Sequence, residues 1–198
     1  MEMNGEYMIA APRGRVWAAL NDAEVLRRSI DGCESLEKTS DTSFAAKVVA
    51  RIGPVKAAFG GKVTLSDIDP PNGYTISGEG SGGGVGMARG GAKVTLIDEG
   101  GATRLCYAVN AEVSGKLAQI GSRLIDGAAR KLADDFFSRF AAIVVEEAPA
   151  SAGAASALQT AARSRYIVKV DLRWAAVVAV LMALSGWAGF VLGHGAHP

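Results

Sequence analysis

Histidine and cysteine are scarce in this 198-residue chain, which has two of each. His194 and His197 lie at the extreme C-terminus, which removes the Ser-His and Cys-His pairs that nucleophilic hydrolases need inside a folded domain. Cys33 and Cys106 are too few for a disulfide framework, and with so few histidines a His/Cys metal site is excluded as well. No excess of either charge is present. Lys+Arg 21 against Asp+Glu 20 gives a net charge of +1, without the basic surplus on which phosphate contacts depend, so no nucleic-acid partner is expected. The N-terminal Met-Glu-Met-Asn-Gly-Glu-Tyr7 lacks the apolar core of a signal peptide. Free thiols suit a reducing compartment.

What asymmetry there is lies toward the C-terminus. Arg163, Arg165, Lys169 and Arg173 stand against Asp171 alone, a net +3, which leaves −2 for residues 1–162. This basic stretch leads into 174–192, 19 residues without a charge, about 28 Å as a helix against a hydrocarbon core of about 30 Å. The expectation is a single transmembrane helix. The basic flank before it and the lack of Lys or Arg after it keep the large domain in the cytoplasm under the positive-inside rule. Residues 148–165 are rich in Ala and Ser and poor in bulk, the composition of a flexible linker rather than of a core. The chain thus divides into a domain at 1–147, a linker at 148–165, and a juxtamembrane segment with the span at 166–194.

Within 1–147, an extended segment at Met3–Ile9 is followed by Pro12, then Val16, Trp17 and Leu20 on one helical face. Asp22 is placed to cap a second short helix carrying Val25 and Leu26, which Gly32 helps to stop. A period of two then takes over. Phe44, Ala46, Val48, Ala50 and Ile52 share a face, and Val55, Ala57, Phe59, Gly61, Val63 and Leu65 resume it after Gly53-Pro54. Tyr74, Ile76, Gly78 and Gly80 open another strand. Ala92, Val94 and Leu96, then Leu105, Tyr107, Val109, Ala111 and Val113, mark two more. An antiparallel meander with one apolar and one wet face accounts for the pattern. Finally Leu117, Ile120, Leu124, Ala128, Leu132, Phe136, Phe140 and Ile143 recur every three or four residues, predicting a helix of about seven turns laid on the apolar sheet face.

That order resembles the helix-grip fold of the START and Bet v 1-like superfamily, an α+β fold in which a curved antiparallel sheet surrounds a long C-terminal helix. More narrowly, the chain resembles the CoxG family of carbon monoxide dehydrogenase proteins. The resemblance is carried by Asn21-Asp22-Ala23-Glu24-Val25-Leu26, Ile30-Asp31-Gly32-Cys33, Ile52-Gly53-Pro54-Val55-Lys56, Phe59-Gly60-Gly61-Lys62-Val63 and the segment from Gly115 to Ile125, continued by Phe136-Phe137. Asp31 departs from the family's Ile-Pro-Gly-Cys segment, where proline stands. The resemblance implies a membrane-associated accessory protein that recruits a molybdenum hydroxylase such as carbon monoxide dehydrogenase and binds a quinone for electron transfer.

The residues themselves are consistent with a ligand cavity. The apolar face mixes large side chains with many alanines and glycines, so the space between sheet and helix is either filled by the aromatics or left open. An open space with so few ionisable groups suits an apolar ligand, with Phe44, Val48, Phe59, Tyr74, Met87, Leu105, Tyr107, Leu124, Ala128 and Phe136 as its lining. No catalytic residue, metal ligand or covalently bound cofactor is expected. A cyclase-like small-molecule enzyme is the alternative implied by the superfamily, but the inner face offers only Tyr74 and Tyr107 for acid-base work. A plain membrane tether without ligand is the other. The string Gly78-Glu-Gly80-Ser-Gly82-Gly83 has the G-x-G-x-x-G spacing, yet no helix follows it, so it reads as a bulged sheet margin and a gate for ligand entry. The acids beside Arg123 and Arg130 read as an exposed helix face with i,i+4 pairs.

Overall fold

The structure is a computed structural model that describes residues 2–147. The linker at 148–165 and the span predicted within 166–194 lie outside the described residues. Among the described residues, no helix is long and apolar enough to cross a membrane.

The chain opens with strand β1 (Glu2–Ile9) and two short helices, α1 (Arg13–Leu20) and α2 (Ala23–Ser29). Asp22 caps α2 as expected, its carboxylate accepting from the backbone N–H groups of Glu24 and Val25. Then follow β2 (Cys33–Ser40), β3 (Ser43–Ile52), β4 (Val55–Asp69), β5 (Gly73–Ser81), β6 (Met87–Asp98) and β7 (Thr103–Ser114). A 3-10 turn at Gly83–Val85 separates β5 from β6, and α3 (Lys116–Gln119) and α4 (Ser122–Glu146) end the domain. The seven strands form one sheet in the order β1-β7-β6-β5-β4-β3-β2, with every neighbouring pair antiparallel. Its concave face supplies Phe44, Phe59, Ile76, Val94 and Leu105 to the core, and α4 supplies Phe136, Phe137 and Phe140.

Two sequence expectations are corrected. The seventh strand, β2, has no counterpart in the hydrophobic pattern. It is an edge strand with a single buried residue, Leu36, and a polar run that keeps the edge wet. The C-terminal helix is also interrupted. Gly121, at φ +95, separates α3 from α4 and resets the helical phase. The buried face of α4 therefore runs through Ala129, Ala133, Phe136, Phe137, Phe140, Ile143 and Val144, and none of its first seven residues is buried. Ala128 and Leu132 sit half-buried on its flank, and Leu124 is 52% exposed.

The curvature of the sheet has a local cause. Gly78 pairs directly with Gly90, and Gly61 pairs with Gly80, which places glycines side by side across β4, β5 and β6. A Cβ on Gly90 would stand 2.1 Å from the Asn110 carbonyl oxygen, and one on Gly78 would stand 2.7 Å from a Val63 methyl. Strands approach and bend here because no side chains intervene. The G-x-G-x-x-G string is thus a crease running from β5 into the 3-10 turn, and no helix N-terminus follows it.

Candidate functional site

The space between sheet and α4 is walled by the strands on one side and closed by the aromatic face of the helix on the other. Seven of the ten residues expected to line a ligand space, Phe44, Val48, Phe59, Tyr74, Leu105, Tyr107 and Phe136, are buried on these facing surfaces. Val48 and Phe59 are direct cross-strand partners. Tyr74 lies tilted against Trp17 at 5.5 Å between ring centroids, and Phe136 stacks on Phe140 at 5.7 Å. Phe59 also backs the 3-10 turn: a Cβ on Gly82 would meet its ring at 2.5 Å.

Three side chains missing from the expected lining complete this wall. Tyr7 stacks on Phe137 with centroids 4.2 Å apart, and Tyr107 stacks on the same ring at 5.8 Å. The Tyr7 hydroxyl donates to Asp134 Oδ1 at 2.5 Å. Asp134 therefore serves the interior, where the sequence suggested an exposed ion-pair face; the i,i+4 pair on that helix is Lys131–Asp135. Tyr7 was legible in principle, since it shares the inward parity of Met3 and Ile9.

The interior is electrostatically quiet. Burial pushes the Tyr74 phenol well above its ordinary range. Burial does the same to Tyr107, with the neighbouring Tyr7 and Asp134 adding to it. For Tyr7, burial comes first and the hydrogen bond to Asp134 second. All three phenols are thus neutral at physiological pH, able to donate or accept a hydrogen bond but not to act as bases. Burial also raises both thiols, Cys33 and Cys106, which keeps them protonated. Among the described residues no cluster of His, Cys, Asp and Glu could hold a metal ion.

An opening lies at one end of the sheet, where the β3–β4 turn, the 3-10 turn and the β7–α3–α4 junction converge. Gly53 faces Ile120 and Leu124 there, and Gly115 lies against Gly86. A groove of about 700 Å³ runs between the ends of β6 and β7 and the start of α4, its floor formed by Ala88, Ala111, Val113 and Ile125. Met87 borders it and is 52% exposed, as expected for a residue at a mouth. Leu124 stands at the same end, pointing largely to solvent rather than into the lined space, because α4 begins only after the Gly121 break.

Residues 5–145 match the CoxG family, described as the G-type component of carbon monoxide dehydrogenase. No curated protein matches the chain. Among solved structures, a conserved protein from Geobacillus kaustophilus is 31% identical, with a TM-score of 0.70 over 74% of this chain and 96% of that one. A START superfamily protein from Mycobacterium smegmatis is similar at 10% identity and a TM-score of 0.58, over 73% of this chain and 97% of its own. The Zhui aromatase/cyclase from Streptomyces sp. R1128 aligns at 10% identity and a TM-score of 0.57, over 78% and 99% of the two chains. At that identity these last two establish the shared helix-grip fold alone.

Proposed function

The chain belongs to the CoxG family of carbon monoxide dehydrogenase proteins, and from that membership we propose a non-enzymatic accessory protein that binds an apolar ligand, a quinone, and brings it to a molybdenum hydroxylase of the carbon monoxide dehydrogenase type. The span expected within 166–194 holds the domain at the cytoplasmic face of the membrane, where quinone and enzyme meet.

The observation that carries this reading is the chemistry of the concave wall. It is aromatic and aliphatic throughout, its phenols are neutral, and the Asp134 carboxylate at its margin is occupied by Tyr7. Such a wall favours a flat apolar ring with one or two polar atoms, and it supplies no titratable group poised near neutrality for acid-base catalysis. The groove beside Met87 offers the ligand a route at the loop end. Phe44, Val48, Phe59, Tyr74, Leu105, Tyr107, Ala128 and Phe136 form the wall in this reading, with Met87 and Leu124 at the opening.

Native mass spectrometry of the detergent-purified full-length protein, with lipid extraction alongside, tests it. A quinone mass retained in stoichiometric amount supports the carrier role. If none is retained and added quinone does not bind, the carrier role fails.

A further inference from the structure

The two ends of the sheet carry opposite charge. At one end lie the turns after β2, β4 and β6, which hold Asp41, Asp67, Asp69, Asp98 and Glu99. At the other, the segments 51–56, 81–88 and 113–125 contain no Asp or Glu. They present Arg51, Lys56, Lys116 and Arg123, all exposed and none in an ion pair among the described residues. Glu112, nearby on β7, is taken up by Arg89 at 2.7 Å. Arg51 and Lys56 are moreover direct cross-strand partners, an arrangement of like charges that costs stability unless an anion relieves it. Met87 and Leu124, each 52% exposed, stand at this same end.

We propose that this end of the domain, with Arg51, Lys56, Lys116 and Arg123 around Met87 and Leu124, docks on an anionic phospholipid bilayer and so places the groove mouth against the lipid. Cations around exposed apolar side chains match the layering of a membrane interface, with charge at the headgroups and Met and Leu beneath. The acidic end then faces the cytoplasm. The inference deepens the carrier reading and rests on its membrane location, though not on the identity of the ligand.

The chain leaves the domain at the opposite end, since α4 runs 25 residues away from the mouth, about 37 Å. The 26 residues from 148 to 173 separate it from the uncharged run; they reach more than about 80 Å if extended and about 25–30 Å as a flexible coil. The domain can therefore turn its basic end to the same bilayer that holds the span.

The test is hydrogen exchange of the full-length protein in nanodiscs of phosphatidylcholine alone and of phosphatidylcholine with phosphatidylglycerol at three to one. The expected result is several-fold slower exchange in 82–89 and 114–125 with the anionic lipid only, and no change in the turns at 67–72 and 98–102. Each cation near an anionic leaflet is worth about five-fold in affinity, so Lys116→Glu with Arg123→Glu removes the protection, as does raising the salt on the unaltered protein. Equal protection in both lipids, protection of the acidic end, or none at all overturns the proposal; the last is also the outcome if the basic end serves an acidic protein instead. Quinone retention, measured on the same variant, is expected to persist, which separates failure of docking from failure of the carrier reading.

Discussion

Tyr7 on the first strand donates a 2.5 Å hydrogen bond to Asp134 on the last helix, joining positions 127 residues apart. The same ring lies on Phe137, so a single side chain fixes both the spacing and the rotation of α4 against the sheet edge.

Tyr7→Phe keeps the stack and removes the hydrogen bond. A bond to a charged acceptor contributes about 1.5–3 kcal/mol, and Asp134 is half-buried, so a loss at the lower end of that range is expected. Urea unfolding of the two proteins measures it; equal midpoints would mean that the bond contributes nothing net.

The tyrosines give the domain an alkaline limit. Tyr74 is buried and its phenol is raised by burial alone, from an unfolded value of about 10. The folded state thus prefers the neutral phenol. That preference stabilises fully below about pH 10 and is lost as pH rises from there toward the higher folded value. Stability is expected to fall above about pH 10 by about 1.4 kcal/mol per pH unit for this group, and Tyr74→Phe should flatten the decline in pH-dependent melting curves. Phenolate absorbance that develops before the fold is lost would contradict this.

The crease in the sheet distinguishes two kinds of glycine. Gly90→Ala drives a methyl to 2.1 Å from a carbonyl oxygen, whereas at Gly83 nothing lies within 4 Å and only the left-handed backbone, φ +61, resists substitution. The second change should cost about 1–2 kcal/mol and the first distinctly more, read as a difference in melting temperature. The reverse order would show that the crease tolerates side chains.

Thr103 is fully buried and donates to the Ala11 carbonyl at 2.7 Å, tying the start of β7 to the chain entering α1. Thr103→Val preserves volume and strands that carbonyl, at a cost of about 1–3 kcal/mol. Chemical denaturation checks the value, and Thr103→Ser, which restores the hydroxyl, should recover part of it.

Much of this architecture is legible in the chain because alternation along a strand and recurrence along a helix are local signals. Asp22 as a cap, the inward parity of β3 to β7 and the apolar run through Phe136 and Phe140 follow directly from spacing. β2 is not legible because an edge strand with Leu36 as its one buried residue has no period to detect. The rotation of α4 depends on the backbone at Gly121, and a glycine announces freedom without saying how it is used, so Leu124 reads as core and stands in solvent. Asp134 and Tyr7 find each other only once the first strand is paired with β7. The departure at Asp31 also acquires a partner only in three dimensions, an ion pair with Arg139 of α4 at 2.8 Å.

The position of Glu147 has a mechanical consequence. Its carboxylate is clamped to Arg28 of α2 at 2.6 Å, where the chain leaves the fold. Any pull transmitted through the residues beyond it is first borne by that exposed clamp and by the last turn of α4, which can fray one turn at a time. Ser122 and Asp126, at the groove, lie at the far end of the same helix. Tension on the tail is thus spent on peeling the helix from its C-terminus long before it reaches the mouth, so the domain can be tugged by its leash without springing its own door.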